Sequence, residues 1–218
     1  MNQTERRAAL AETARRSARQ GLNPGSSGNL SVRLAEGFLV TPSGLPNDTL
    51  QAEQMVAVDM EGRSSGGLKP SSEWRIHRDI YRARPEVHAV VHAHSPYAVS
   101  LACLRRDIPP FHYMIAAAGG KDIRCAGYAT FGTQALSDNV LAALQDRRAC
   151  LMANHGLVAV GASLDAALSL AMEVEELCAQ YWRASLMGEP VLLDDAEMGE
   201  VLQRFKDYGQ RADGQKSA

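Results

Sequence analysis

The chain has 218 residues, of which 45% are hydrophobic and 22% charged, and its formal net charge is −2. That length suits one domain or a compact pair, with ample material for a core, and the near-neutral balance offers no basic footprint for nucleic acid or an anionic membrane surface. No apolar run approaches the ~20 residues of a transmembrane helix, so no membrane association is expected.

In chain order, Thr4 to Gln20 reads as a charged amphipathic helix, with Ala8, Leu10, Ala11 and Ala14 on its packing side and Thr4 as its cap. It contains no apolar signal core. The turn Asn23-Pro24-Gly25-Ser26-Ser27-Gly28 then leads into short strands at 29–34, 38–41 and 55–59, separated by Gly37, Pro42-Ser43-Gly44 and Glu61-Gly62. Ser64-Ser65-Gly66-Gly67 reads as a flexible tip.

A helix is expected from about Ser72 to Arg84, stopped by Pro85, followed by a strand over 89–94. Ser95-Pro96 opens another helix with proline in its first turn. Further strands are expected at 123–131, 150–154 and 157–160. Helices are expected at 133–144, 164–187 and about 196–208, with a disordered tail over 211–218. This irregular interleaving predicts one domain over 1–218: a three-layer α/β sandwich whose central sheet is largely antiparallel or mixed and is flanked by helices.

Cys103, Cys125, Cys150 and Cys178 are widely spaced and form no Cys-x-x-Cys motif. They predict reduced thiols and a cytoplasmic protein.

The chemistry concentrates in Glu73, His92, His94 and His155. Alternate residues of a strand share a face with backbones ~6.6 Å apart, so His92 and His94 can reach one ion. They end the apolar run Ala89-Val90-Val91, where unpartnered imidazoles would be costly to bury. With His155 from Asn154-His155-Gly156 and the carboxylate of Glu73, they form three nitrogens and one oxygen suited to a divalent transition metal, zinc first, one per chain. For Glu73 alone, a place in a first helical turn is already favourable by dipole. His77, one turn later, could be a fourth imidazole but reads as a surface or packing residue.

Three segments combine small residues and hydroxyls: Gly25-Ser26-Ser27-Gly28-Asn29, Thr41-Pro42-Ser43-Gly44 and Ser71-Ser72. Singly they are ordinary turns and caps. The adjacency of Ser71-Ser72 to Glu73 would put an anion held at that helix start close to the ion.

Taken with Gly28-Asn29, Pro70-Ser71-Ser72-Glu73-Trp74-Arg75, Val90-Val91-His92, the run from His112 to Gly120, Tyr128-Ala129-Thr130-Phe131-Gly132-Thr133 and His155-Gly156-Leu157, nearly the whole chain resembles the class II aldolase family. Within that family it resembles the L-fuculose-1-phosphate aldolases.

The resemblance implies zinc-dependent retro-aldol cleavage of a ketose 1-phosphate. L-fuculose 1-phosphate would give dihydroxyacetone phosphate and L-lactaldehyde. It implies a homotetramer with sites shared between subunits, and His92, His94, His155 and Glu73 as metal ligands. Glu73 would also be an acid/base, and Tyr113 a proton donor from the adjacent subunit. Ser26, Asn29, Ser43, Gly44, Ser71 and Ser72 would bind phosphate, and Phe131 and Tyr208 would shape the aldehyde end. Ser26 and Ser43 stand where the family carries threonine, and both keep a hydroxyl. Asn154 stands in place of a histidine beside the third ligand and Ser95-Pro96-Tyr97 also differs, and these two departures bear on which substrate is taken, not on the metal.

The residues agree with that chemistry. The alternative, a lysine Schiff base, would have to use Lys69, Lys121, Lys206 or Lys216, none in a strongly apolar setting. Rival expectations are aldol cleavage of 5-deoxyribulose 1-phosphate or 5-methylthioribulose 1-phosphate, and a pentulose-phosphate 4-epimerase, whose family members carry aspartate at the Glu73 position. A non-enzymatic adducin-like module would lack the metal ligands, all four of which this chain retains.

Overall fold

The computed structural model describes residues 1–207. Tyr208 and the expected tail over 211–218 lie outside the described residues. The chain runs through α1 (Gln3–Arg19), β1 (Asn29–Arg33), β2 (Phe38–Val40), β3 (Val56–Val58), β4 (Ser64–Ser65), α2 (Trp74–Ala83) and β5 (Ala89–Ala93). It continues through α3 (Pro96–Ala102), β6 (Cys125–Ala126), α4 (Gln134–Ala143), β7 (Ala149–Met152), β8 (Gly156–Gly161), α5 (Leu164–Met187) and α6 (Asp195–Asp207).

All eight strands join one sheet in the order β4-β3-β2-β1-β5-β8-β7-β6. Every pairing is antiparallel except β6 with β7. The central strand β5 is buried on both faces, which is why it reads as an apolar run rather than an alternation. Val91 packs with Leu10, Leu30, Leu151, Leu168 and Val174 beneath α1 and α5. Val90 packs with Phe38, Ile76, Ile80, Val140 and Val158 beneath α2 and α4. Each such side chain contributes about 1.5–3 kcal/mol on burial. Helices on both faces of a mixed sheet make the three-layer α/β sandwich expected from the sequence.

The expected α5 range is reproduced, capped by the Ser163 side chain, and Pro96 occupies the first turn of α3. Three local expectations are corrected. The cap of α1 is Asn2, not Thr4: Asn2 Oδ1 accepts from the Glu5 N–H at 2.9 Å, and Glu5 Oε2 accepts from the Asn2 N–H at 2.9 Å. Ser64-Ser65 is not a free tip but pairs with β3 as the edge strand. The expected strand over 123–131 shrinks to β6, because the chain leaves the sheet at Gly127 and crosses towards the pocket described below.

All four cysteines are free thiols, Cys150 and Cys178 being buried. Among the described residues, no helix is long and apolar enough to cross a membrane.

Candidate active site

Strand register assembles the site. His92 lies opposite Asn29 of β1 on one side and Val158 of β8 on the other. His94 follows two residues later, just past the end of β5. The turn from β7 to β8 carries His155, with Asn154 before it in the left-handed region at φ 54°. Gly156 then allows the turn to close on β5: a Cβ there would lie 2.2 Å from the Ala93 carbonyl oxygen and 3.2 Å from His94 Cδ2. The three imidazoles consequently form a near-equilateral triangle, with ring centroids 4.8, 4.9 and 4.8 Å apart. Glu73, the cap residue of α2, closes the cluster, and one ligand atom from each of the four residues lies within 4.8 Å of the others.

The chemistry of this donor set fits a metal cation. His92 Nδ1–H donates to the Leu157 carbonyl at 2.8 Å, so in the neutral ring Nε2 turns a lone pair into the cluster. That Nε2 is 3.0 Å from His94 Nε2 and 3.1 Å from Glu73 Oε2. Glu73 Oε1, 3.3 Å from His155 Nε2, is the one buried side-chain polar atom among the described residues with no hydrogen-bond partner. Lone pairs thus converge on one point, the arrangement a cation's ligands take.

Burial alone would raise the Glu73 carboxyl, but the charge and hydrogen bond of His92, with His155 and the Asn29 amide, hold it well below the usual range. Burial and the charge of His92 push His94 to about 3 and His155 to about 4, so both rings offer lone pairs at neutral pH. For His92, burial is outweighed by the charge and hydrogen bond of Glu73, and the ring is raised.

One cavity of about 330 Å³ opens onto this cluster. Ser26, Asn29, Ser43, Gly44, Ser71, Ser72 and Phe131 all line it, together with Glu73, His94 and His155. The hydroxyl-bearing turns are tied to one another. Ser71 N–H donates to the Thr41 carbonyl at 3.1 Å and Ser43 N–H to the Lys69 carbonyl at 3.0 Å. Asn47 holds the Gly25–Gly28 turn through the carbonyls of Gly25 and Ser27. Arg75 reaches the Gly132 carbonyl at 3.0 Å and pins the segment carrying Phe131. Among the described residues, no lysine or arginine lines the cavity.

Tyr113 is not part of this cavity. It is 51% exposed and lies in a separate groove with Phe111, His112, Leu193 and Arg204. Tyr208 lies outside the described residues. His77 is neither a surface residue nor a fourth imidazole of the cluster: it is fully buried behind Glu73, with both ring nitrogens hydrogen-bonded.

Two wall residues, Tyr128 and Asn154, escape a reading of the sequence by type alone. Arg105 links them by donating to Asn154 Oδ1 at 2.6 Å while its guanidinium lies 5.5 Å from the Tyr128 ring centroid. Asn23 is a third omission. Its buried amide donates to the His92 carbonyl at 3.3 Å and accepts from the His94 N–H at 3.2 Å, fixing the backbone between the paired ligands.

Comparison with known proteins agrees with this architecture. The family described as Class II Aldolase and Adducin N-terminal domain matches residues 8–182. The 5-methylthioribulose-1-phosphate/5-deoxyribulose-1-phosphate aldolase of Rhodospirillum rubrum is 54% identical over 203 residues, covering 93% of this chain and 92% of that one. The L-fuculose phosphate aldolase of Escherichia coli K12 is 46% identical over 93% of this chain and 94% of its own. A solved structure of an L-fuculose 1-phosphate aldolase superposes with a TM-score of 0.89 at 40% identity, covering 93% and 96% of the two chains. The chain belongs to the class II aldolase and adducin family, and within it is a class II aldolase, a lyase.

Proposed function

We propose that the pocket cleaves a ketose 1-phosphate between C3 and C4, releasing dihydroxyacetone phosphate and an aldehyde. The observation that carries this reading is the convergence of a Glu/His₃ donor set and three hydroxyl-bearing turns on one cavity. Glu73, His92, His94 and His155 would hold the cation, with zinc suited to three nitrogens and one oxygen. When bound, such a cation supplies a Lewis acid that stabilises negative charge on the substrate's C2 oxygen as the bond breaks.

The remaining work belongs to the chain. Ser26, Asn29, Ser43, Gly44, Ser71 and Ser72 offer hydroxyls, an amide and turn N–H groups to the phosphate, with the start of α2 behind them. One group must remove the C4 hydroxyl proton and another must protonate C3 of the leaving fragment. Glu73, kept ionised, is the base, and Tyr113 is the acid. Since Tyr113 lies outside its own chain's cavity, it would act in a neighbouring subunit's site, within a cytoplasmic homotetramer.

For the aldehyde portion, the favoured substrates are 5-deoxyribulose 1-phosphate and 5-methylthioribulose 1-phosphate, whose C5 carries no hydroxyl. The relative named for both compounds shares more identity than the fuculose phosphate aldolase does, 54% against 46%. The exposed ring surfaces of Tyr128 and Phe131 on the cavity wall suit an apolar end. L-Fuculose 1-phosphate, the first expectation from the sequence, becomes the second reading, favoured by the fold match to an enzyme of that name.

The test is triose release by zinc-loaded protein, read as dihydroxyacetone phosphate from each of the three ketose 1-phosphates and as dihydroxyacetone from unphosphorylated 5-deoxyribulose. The expected order of kcat/KM puts the two 5-deoxy-type substrates above L-fuculose 1-phosphate and the unphosphorylated sugar last. The reverse order for the phosphates would favour the second reading, and no release from any of them would overturn the proposal.

A further inference from the structure

Behind Glu73 runs a buried chain of hydrogen bonds that the chemistry above does not use. Glu73, His77 and Tyr81 are spaced four residues apart along α2 and its cap. Asn29 and Ser31 are alternate residues of β1 on the face turned towards α2. Four residues of helix rise ~6 Å and two residues of strand ~6.6 Å, so the two rows stay in step. Tyr81 Oη is 2.7 Å from Ser31 Oγ, and Ser31 Oγ is 2.6 Å from His77 Nδ1. His77 Nε2 bonds Asn29 Oδ1, and Asn29 Nδ2 is 3.0 Å from Glu73 Oε2. Asn29, Ser31, Glu73, His77 and Tyr81 are all buried.

The donors and acceptors in this chain can be ordered from either end. An ionised carboxylate only accepts, so Asn29 must turn its NH₂ to Glu73 and its carbonyl to His77. That carbonyl only accepts, so the His77 proton sits on Nε2. At the far end the buried phenol of Tyr81 has Ser31 as its hydrogen-bond partner, so its O–H points there and the Ser31 hydroxyl is passed on to His77 Nδ1. Both ends demand the same direction.

We infer that His77 is a positioning residue that locks the Asn29 amide. One N–H of Asn29 then holds Glu73, and its second N–H is left for an anion in the cavity that Asn29 lines. With Asn29 reversed, a lone pair would face the carboxylate and its NH₂ would meet the His77 N–H. His77 thereby couples the metal ligand to the phosphate side without touching either. This inference rests on the proposed reading of the pocket.

The experiment is calorimetric titration of the full chain, the metal-depleted protein with Zn²⁺ and the zinc-loaded protein with inorganic phosphate, comparing wild type, His77→Leu and His77→Gln. Leucine removes the donor, and Zn²⁺ affinity should fall about 10- to 100-fold, the usual consequence of losing support behind a metal ligand. Phosphate affinity should fall about fivefold or more. Glutamine places an N–H near the position of Nε2 and should return both to within about threefold of wild type, a rescue that a purely space-filling role would not give.

A measurement on the wild-type fold stands beside these variants: ¹⁵N imidazole shifts of the zinc-loaded protein, with His77 assigned by its loss in His77→Gln. The expected state is neutral with the proton on Nε2. A proton on Nδ1, or equal losses in the leucine and glutamine variants, would overturn the inference alone. Wild-type protein that binds neither ion would overturn the pocket reading beneath it.

Discussion

Ser95 donates a 2.6 Å hydrogen bond to Oε2 of Glu175, joining the residue that follows His94 to the middle of α5. The same carboxylate accepts the N–H groups of Tyr97 and Ala98 at 2.9 Å each, so a side chain from α5 caps the start of α3. The longest helix thus anchors the end of the strand that delivers two candidate metal ligands.

Glu175→Ala should strip three donors of their acceptor, with the Ser95 side chain fully buried among them. A loss of about 1–3 kcal/mol in unfolding free energy is expected from urea denaturation. Glu175→Gln should lose less, because the amide oxygen still accepts. Zn²⁺ affinity should fall with the alanine variant as His94 loosens. An unchanged urea midpoint would mean that water replaces the carboxylate at little cost.

The acid sensitivity of the fold should depend on His77. Burial, then the charge of His92, pushes its ring from 6.5 down to about 3, so the folded protein holds it neutral. Between those values the unfolded chain binds the extra proton, and stability therefore rises with pH up to about 6.5 and is lost as pH falls towards 3. Each such proton contributes a slope of up to about 1.4 kcal/mol per pH unit. His94 and His155 act in the same direction, so His77→Gln should flatten the acid limb of metal-depleted protein without abolishing it. Superimposable limbs for variant and wild type would show that His77 does not titrate on unfolding.

Much of this organisation is legible in the sequence because it is local. The two-residue spacing of His92 and His94 at the end of an apolar run survives folding unchanged, as does the 24-residue α5 between a serine cap and Gly188. Ser71-Ser72 beside Glu73 likewise needs no long-range information. What could not be read depends on partners far along the chain. Asn29 reaches the cluster only because β1 pairs with β5 in a register that sets it opposite His92. The stripe of Glu73, His77 and Tyr81 has helical spacing, but its meaning requires knowing that Asn29 and Ser31 face it. The edge pairing of Ser64-Ser65 is another such case: glycines beside a short polar segment signal a tip until β3 supplies a partner.

Two glycines in β8 allow backbone packing to be separated from ligand geometry. A Cβ at Gly156 would meet the Ala93 carbonyl and His94, whereas one at Gly161 would meet the backbone N of Ala167 at 2.6 Å, at the other end of the strand. Both Gly156→Ala and Gly161→Ala should destabilise by about 1–3 kcal/mol through overpacking. Only Gly156→Ala should also weaken Zn²⁺ binding, measured by competition with a chromogenic chelator. Equal Zn²⁺ affinities in the two variants would detach the Gly156 contact from the metal site.

Tyr113→Phe should leave Zn²⁺ content unchanged and lower kcat, because the ring remains while the proton is lost. Its placement in a separate groove with Phe111 and Arg204 makes a shared site necessary if it is to act. Mixing Tyr113→Phe with a metal-site variant such as His92→Ala in one oligomer should then restore part of the activity that neither homo-oligomer has. Sedimentation showing a fully active monomer would remove the shared-site model.

Glu73→Gln tests the central assignment. The Asn29 N–H can still be accepted by the amide oxygen, which leaves the new NH₂ where Oε1 now stands unpartnered, 3.3 Å from His155 Nε2. That substitution removes the negative charge and fills the acceptor position with a donor, so Zn²⁺ should bind more weakly and the assay must be run at saturating Zn²⁺. Under those conditions the phosphate side is untouched, and KM for the ketose 1-phosphate should stay close to wild type. Turnover should fall by about 10²–10⁴-fold, the usual worth of a positioned general acid or base. A fall in kcat with KM preserved would match a group that acts in the transition state rather than in uniform binding. Wild-type turnover by zinc-saturated Glu73→Gln would move proton transfer to another residue, and Tyr113 would be the next to test.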